Sequence, residues 1–240
     1  MRHLLFAALF FSTVTATAQE MSGTELLKKA MAHHDPNGNW GTFNETFVVT
    51  MASPKNPDRV STITINLPDE YFMVKAAQDT LTTQYVVNKG KCGIFINNAE
   101  TPPTPQELKK HNLSCERANL YKNYYTYLYG LPMKLKDPGT HIAEKATVGR
   151  FLGKKFWVLK VTYDERVGNE VWYFYFDPKT YALATYQFYK GDPEGAGKGT
   201  GEYILLSGTE TIGGIKMPKT RKWYYNKNGV YLGTDTLTKK

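Results

Sequence analysis

The chain has 240 residues, of which 41% are hydrophobic and 22% are charged, and its formal net charge is +8. This composition excludes a disordered chain, and the length is sufficient to bury a sizeable core. Two cysteines are too few for a disulfide-dense scaffold or for a zinc site built from cysteine ligands.

The first residues have the three parts of a secretory signal peptide. Residues 1–3 carry positive charge, residues 4–14 are almost continuously apolar, and Ala16-Thr17-Ala18 forms an A-x-A cleavage pattern. We therefore expect residues 1–18 to be removed and the mature chain to begin at Gln19, although a buried N-terminal helix is the alternative. No cysteine lies near the cleavage point and no apolar run reaches the ~18 residues of a membrane span, which predicts a periplasmic or secreted protein without a lipid anchor.

Export gives the two cysteines a structural interpretation. Cys92 and Cys115 are predicted to form a disulfide, because oxidising compartments keep such pairs closed. The bridge would close a loop of roughly 20 residues, for which chain entropy gives a stabilisation of about 3 kcal/mol. Two free buried thiols are the alternative.

Hydrophobic periodicity divides the mature chain into strands, a helical segment and further strands. A capping box at Ser22 begins a helix that ends before Pro36. Alternating strands follow over 42–96, and helix start and stop signals then predict a helical insertion at about 104–130. The tyrosine-rich part of this insertion is apolar nearly all round, which predicts an embedded helix. A β meander over 157–237 completes the pattern.

Regularly spaced strands interrupted by one helical segment favour an α+β fold. We expect residues 19–240 to form a single domain, in which one antiparallel β-sheet curls into a half-open β-barrel and helices cap its concave side. One strand supports this arrangement directly: Val171–Phe176 carries Trp172 and Phe174 on one face and Tyr173 and Tyr175 on the other. Neither face of such a strand can lie against water, so helices, a partner or a ligand must cover both.

Two segments resemble the hairpins of the LolA-like (outer-membrane lipoprotein-sorting-like) superfamily, which contains envelope lipoprotein carriers and related lipid-binding proteins. These segments are 151–161 and 172–180, and the turn at 213–218 is also similar to a turn of that superfamily. The tyrosine-rich helix and Tyr129-Gly130-Leu131-Pro132 resemble an uncharacterised family of secreted bacterial envelope proteins. The resemblance implies a half-open β-barrel with helices over its hollow and a hydrophobic ligand.

The leading functional prediction is a non-enzymatic protein that binds a lipid or another hydrophobic small molecule. Aromatic rings suit the wall of an apolar cavity, and tyrosine adds a hydroxyl for a polar contact. The predicted ligand-binding residues are Tyr124, Tyr127, Trp157, Trp172 and Phe174. The competing interpretation is that these rings form an ordinary two-sided core.

The sequence contains none of the common catalytic, nucleotide-binding or zinc-binding motifs. His33, His34 and Asp35 are adjacent on a helix, and because neighbouring positions project about 100° apart, both imidazoles rarely reach one ion. Histidines at a helix C-terminus are instead favoured by the helix dipole. We therefore predict no catalytic residue, no metal site and no cofactor.

Two other functions remain open from the sequence. One is an enzyme with a polar site near the tyrosine-rich helix, formed by residues such as Tyr121, Asn123 and Asp137. The other is an envelope protein that binds another envelope protein through an exposed aromatic face. The scattered lysine pairs also suit contact with an anionic membrane surface, and no nucleic-acid-binding pattern is present.

Overall fold

The computed structural model describes residues 20–240, which contain three α-helices and one 14-stranded sheet. The signal peptide predicted over 1–18 lies outside these residues. The helices are α1 (Gly23–His34), α2 (Pro105–Lys110) and α3 (Cys115–Tyr129). The strands are β1 (Met21–Ser22), β2 (Asn44–Ser53), β3 (Asn56–Asn66), β4 (Tyr71–Gln78), β5 (Leu81–Asn88), β6 (Lys91–Ile96), β7 (Thr140–Ile142), β8 (Lys145–Phe151), β9 (Lys154–Tyr163), β10 (Val171–Phe176), β11 (Leu183–Tyr189), β12 (Glu202–Ile212), β13 (Ile215–Tyr225) and β14 (Tyr231–Lys239).

The sheet is antiparallel throughout and its two edges do not meet. Its order is β1-β8-β9-β10-β11-β12-β13-β14-β2-β3-β4-β5-β6, and β7 pairs with β9. Nearly all neighbours in space are neighbours in sequence, as expected for a meander. Helices α1 and α3 pack against this open sheet, so the predicted half-open barrel of the α+β class is confirmed.

Side-chain caps define where the three helices begin. Ser22 accepts a hydrogen bond from the Glu25 N–H at 3.0 Å, and Ser114 accepts one from the Arg117 N–H at 3.2 Å. At α2 the cap is reciprocal, because Thr104 accepts from the Glu107 N–H while the Glu107 carboxylate accepts from the Thr104 N–H. These caps satisfy backbone donors that a helix leaves without an internal partner.

The curled sheet surrounds helix α3 along its C-terminal half. Tyr129 packs against Phe47 of β2, and Tyr125 packs against Phe72 of β4. On the other side of the helix, the Tyr127 ring centroid lies 5.7 Å from that of Trp172 on β10. The prediction of an embedded helix holds for its C-terminal half only, since Leu120 near its start remains exposed.

A disulfide joins the start of α3 to the edge of the sheet. Cys92 on β6 and Cys115 are bonded, with their Cα atoms 5.7 Å apart and 23 positions apart in sequence. The predicted disulfide is therefore confirmed. It connects the first residue of the inner helix to the last strand of the sheet, so the two cannot separate while the bridge is closed.

Both faces of β10 are covered, and the protein's own side chains cover them. On the concave face, Trp172 stacks on Phe174 and on Phe188. On the outer face, Tyr175 is buried against Phe151 and Phe156, with ring centroids 5.0 and 6.0 Å away. This cover on the outer face comes from side chains of neighbouring strands of the sheet.

His34, the last residue of α1, is an internal anchor and not an exposed helix end. Its Nδ1 donates to the Lys216 carbonyl at 2.6 Å, and its Nε2 accepts from the Leu183 N–H at 2.9 Å. Both ring nitrogens therefore bond to backbone groups of the sheet, which fixes the neutral tautomer. Burial lowers the pKa of His34 from 6.5 to about 4.

This lowered pKa predicts a loss of stability in mild acid. The unfolded chain binds a proton at His34 below about pH 6.5, whereas the folded chain resists it down to about pH 4, so stability is full above the first value and falls between the two. We expect the wild type to lose about 3 kcal/mol more free energy of unfolding than His34→Gln between pH 7 and pH 4. Denaturant titrations across this range measure the difference, with the exposed His141→Gln as control. Parallel curves for wild type and His34→Gln would contradict the assignment.

Candidate functional site

A row of directly paired residues crosses the concave face and carries its buried charges. Each member is the cross-strand partner of the next, so all of their side chains point to the same side of the sheet. From β12 to β5 the row consists of Leu206, Arg221, Asp235, Met51, Arg59, Gln78 and Leu81. Two arginines and one aspartate thus lie inside the half-barrel.

Arg221 is the most deeply placed of these charges, with 1% of its surface exposed. Its guanidinium donates to the Leu128 carbonyl at 3.2 Å and to the Pro218 carbonyl at 3.1 Å. Its central carbon also lies 4.0 Å from the ring centroid of Tyr129, which is a cation–π contact. Leu128 is in the last turn of α3, where carbonyls lack helical partners and the helix dipole is negative. Arg221 therefore holds this end of α3 on β13.

Asp235 is buried between the two arginines without forming an ion pair with either in the described residues. Its carboxylate accepts a hydrogen bond from the Trp223 indole N–H at 3.0 Å. Burial raises the pKa of Asp235, and this outweighs the lowering by Arg221, by the Trp223 hydrogen bond and by Arg59. One carboxylate thus faces two guanidinium groups, and the interior carries an excess of positive charge.

Arg59 lies further along the row, under the middle of α3. It donates to the hydroxyl of Tyr125 at 3.3 Å, and its guanidinium carbon lies 5.8 Å from the ring centroid of Tyr121. Burial raises the pKa of Tyr125, although the Arg59 charge lowers it. The Nε of Arg59 has no hydrogen-bond partner within residues 20–240, and the same holds for the buried Oγ of Ser61 beside it.

A cavity of about 220 Å³ opens between α3 and strands β3 to β5. Small side chains form the floor of this cavity. Ser61, Ala76 and Thr83 are consecutive cross-strand partners, and they leave space that larger side chains would fill. The residues that line it are Arg59, Ser61, Val74, Ala76, Gln78, Leu81, Thr83, Tyr85, His111, Leu113, Arg117, Tyr121 and Tyr125. The lining combines apolar side chains with hydrogen-bond donors.

The predicted ligand-binding residues lie elsewhere in the half-barrel. Tyr127, Trp172 and Phe174 contact one another in the packed part of the concave face, and Trp157 packs against the same core. Tyr124 borders a second cavity, of about 230 Å³, together with Trp223 and Asp235. None of the five lines the cavity at β3 to β5, so their role in binding stays a prediction.

The residues that line this cavity were missed because they are small or polar and occupy three separate strands. A signal was nevertheless present, since Ser61, Ile63 and Ile65 are alternate residues of β3 and therefore point to the same face of the sheet. An inward serine among inward isoleucines indicates a local gap in the core.

The polar residues considered for an enzyme do not line one site. Tyr121 lines the 220 Å³ cavity, Asn123 is exposed on α3, and Asp137 pairs with Lys134 on the surface. Within the described residues, no three His, Cys, Asp or Glu side chains are placed to hold a metal ion. None of the helices in that part of the chain is long and apolar enough to span a membrane.

Comparison with solved structures identifies the fold. A LolA superfamily protein from Nitrosomonas europaea matches with a TM-score of 0.52 and 12% identity, over 91% of this chain and 92% of that one. A DUF1329 family protein from Desulfovibrio piger matches with a TM-score of 0.51 and 8% identity, over 90% of both chains. The predicted LolA-like fold is thereby confirmed, and at these identities the likeness concerns the fold alone.

Sequence comparison identifies a family without a described activity. The model of a family of unknown function, DUF6503, matches residues 2–240. No curated protein matches this sequence significantly.

The buried tyrosines of α3 allow a paired test of the polar interior. The hydroxyl of Tyr129 has no hydrogen-bond partner within the described residues, whereas that of Tyr125 bonds to Arg59. We expect Tyr129→Phe to keep the stacking with Arg221 and to leave the free energy of unfolding unchanged or higher by up to about 1 kcal/mol. Tyr125→Phe should lower it by about 1–2 kcal/mol, because Arg59 loses its acceptor. Chemical denaturation measures both; equal losses would contradict this description.

Proposed function

The chain belongs to the family of unknown function DUF6503, and we propose that it binds a lipid or another hydrophobic molecule inside its half-barrel. The observation that carries this proposal is the 220 Å³ cavity between α3 and strands β3 to β5. A protein interior is normally packed without voids much larger than a water molecule. The cavity departs from such packing because a row of small side chains lies under a helix that is attached at both ends.

The size of the cavity limits what it holds. An apolar cavity of about 150 Å³ accommodates a benzene molecule, whereas pockets for drug-sized ligands measure about 300–1,000 Å³. The cavity at β3 to β5 therefore suits a small apolar molecule or a single acyl chain of moderate length. Burial of about ten methylene groups supplies roughly 8 kcal/mol before the cost of association, which is enough for weak to micromolar binding without a catalytic group.

The five aromatic residues predicted from the sequence have a place in this proposal. Tyr124, in the second half of α3, borders the second cavity. Tyr127, Trp157, Trp172 and Phe174 belong to the packed core on the β10 side of α3, and a longer ligand would meet them there. We further propose that the protein acts in the periplasm or outside the cell, which the signal-peptide pattern of residues 1–18 supports.

One observation favours a second function, binding of another envelope protein. The outer face of the sheet carries a series of aromatic rings in mutual contact. Tyr203 stacks on Tyr224 with centroids 5.0 Å apart, and Tyr231 and Phe151 adjoin this pair at 5.5 and 5.4 Å. These rings shield one another in part, whereas the cavity residues enclose an internal space, so ligand binding is the better-supported function.

Filling the cavity should abolish binding. Ala76 points into the cavity, while Ala77, the next residue of β4, is exposed on the other face. We expect Ala76→Trp to lower the affinity for 1-decanol at least tenfold, because the indole occupies the space above Ser61 and Thr83. Ala77→Trp makes the same chemical change outside the cavity and should bind as the wild type does. Isothermal titration calorimetry measures the affinities, and thermal unfolding shows that both variants are folded.

Two results would count against this function. Equal binding by Ala76→Trp and Ala77→Trp would place the ligand elsewhere. Failure of the wild type to bind decanol or any other apolar probe would favour the protein-binding alternative.

A further inference from the structure

We propose that the ligand of the β3 to β5 cavity is an amphiphile with an anionic head, a carboxylate or a phosphate monoester, which Arg59 and Arg117 bind. This inference rests on the proposed function, because it assumes that an apolar molecule enters the cavity. It adds the chemical class of the head group and the residues that recognise it.

The charges of the cavity are all of one sign. Arg59 and Arg117 line it together with His111, whose imidazole is a further hydrogen-bonding group. No aspartate or glutamate is among the lining residues, and neither arginine forms a salt bridge with a carboxylate of residues 20–240. Charges at a partly buried site are normally paired, because removing them from water is costly. Their missing counter-charge is what an anionic head would supply.

Arg59 has donors to spare for such a head. A guanidinium offers five N–H donors in a planar fork that matches a carboxylate or phosphate. Its only hydrogen bond within the described part of the chain is to the Tyr125 hydroxyl, and its Nε is buried without a partner. The Tyr121 ring lies against the guanidinium, so the group is held in place before a ligand arrives. A pre-oriented, under-bonded guanidinium is well suited to bind an anion.

Arg117 occupies a position that helix stability alone does not favour. It is the third residue of α3, in the first turn, where the helix dipole is positive and a cation is unfavourable. The same dipole would attract an anion placed beside Arg117. Arg117 and the N-terminal end of α3 therefore add to the positive electrostatic field of Arg59. Asp235, the carboxylate of the polar row, already accepts a hydrogen bond from Trp223.

The rest of the lining suits the apolar part of an amphiphile. Val74, Leu81 and Leu113 line the cavity together with the ring of Tyr85. Inward from the floor, the next cross-strand row consists of the larger residues Ile63, Val74 and Tyr85, which close the cavity. One space thus offers cationic donors and an apolar wall, which is the combination that a fatty acid or an alkyl phosphate requires.

Matched probes separate the head group from the chain. We expect wild-type protein to bind decanoate at least tenfold more tightly than 1-decanol, measured by isothermal titration calorimetry at pH 7, where the carboxylate is ionised. Arg59→Gln and Arg117→Gln should each lower the affinity for decanoate at least tenfold more than the affinity for decanol, which removes most of this preference. Arg166→Gln removes the same charge from an exposed position next to Asp164 and should behave as the wild type does.

The outcomes distinguish this inference from the proposed function. If decanoate and decanol bind equally, the anionic head is excluded while hydrophobic binding stands. If inorganic phosphate binds as tightly as decanoate, the arginines hold free anions and the amphiphile is excluded. If no probe binds, the proposed function itself fails. Thermal unfolding identifies any misfolded variant. If Arg59→Gln does not fold, Arg117→Gln tests the recognition of the anionic head, because Arg117 is only half-buried on α3.

Discussion

The attachment of α3 to the inside of the sheet is the constraint on which the rest of the structure depends. At its C-terminal end, the buried guanidinium of Arg221 donates to the Leu128 carbonyl and stacks on Tyr129. At its other end, the disulfide from Cys92 to Cys115 ties the helix to β6. A buried arginine is expensive to desolvate, and it is tolerated here because carbonyls, an aromatic face and a helix C-terminus all oppose its charge. With both ends attached, the helix has a defined position across the concave face.

That position divides the interior into two unlike halves. On the β10 side, aromatic rings of helix and sheet interlock, and Phe174 is fully buried. On the β3 to β5 side, the sheet presents Ser61, Ala76 and Thr83, and the helix bridges over the gap that these small residues leave. The cavity follows from side-chain volume on one side of a helix that cannot move to fill it. Arg59 and Arg117 line the same cavity and form no salt bridge within residues 20–240. We infer that they give the cavity a preference for an anionic ligand.

Much of the architecture could be predicted because it depends on local rules. Alternation predicted the strands, the capping box at Ser22 and the start signal near residue 104 predicted helix starts, and the expected export predicted the disulfide. The cavity could not be located in this way, since Ser61, Ala76 and Thr83 come together only through strand pairing, and no single strand indicates that its small residue has small neighbours. Large rings such as those of Trp172 and Phe174 were predicted to line the cavity instead, although large rings fill space more readily than they enclose it. His34 lies at a helix end as expected, but its burial could not be predicted, because periodicity does not show which backbone groups of the sheet will reach the ring.

The most direct test of the account is to identify what the protein carries in its own environment. The mature protein, purified from its native host without detergent and denatured, would be extracted with organic solvent, and the extract analysed by mass spectrometry in both ion modes. The account predicts an acyl-chain molecule with a carboxylate or phosphate head, in an amount approaching one per protein chain. Recovery of no hydrophobic molecule above the level found with an unrelated exported protein would contradict it.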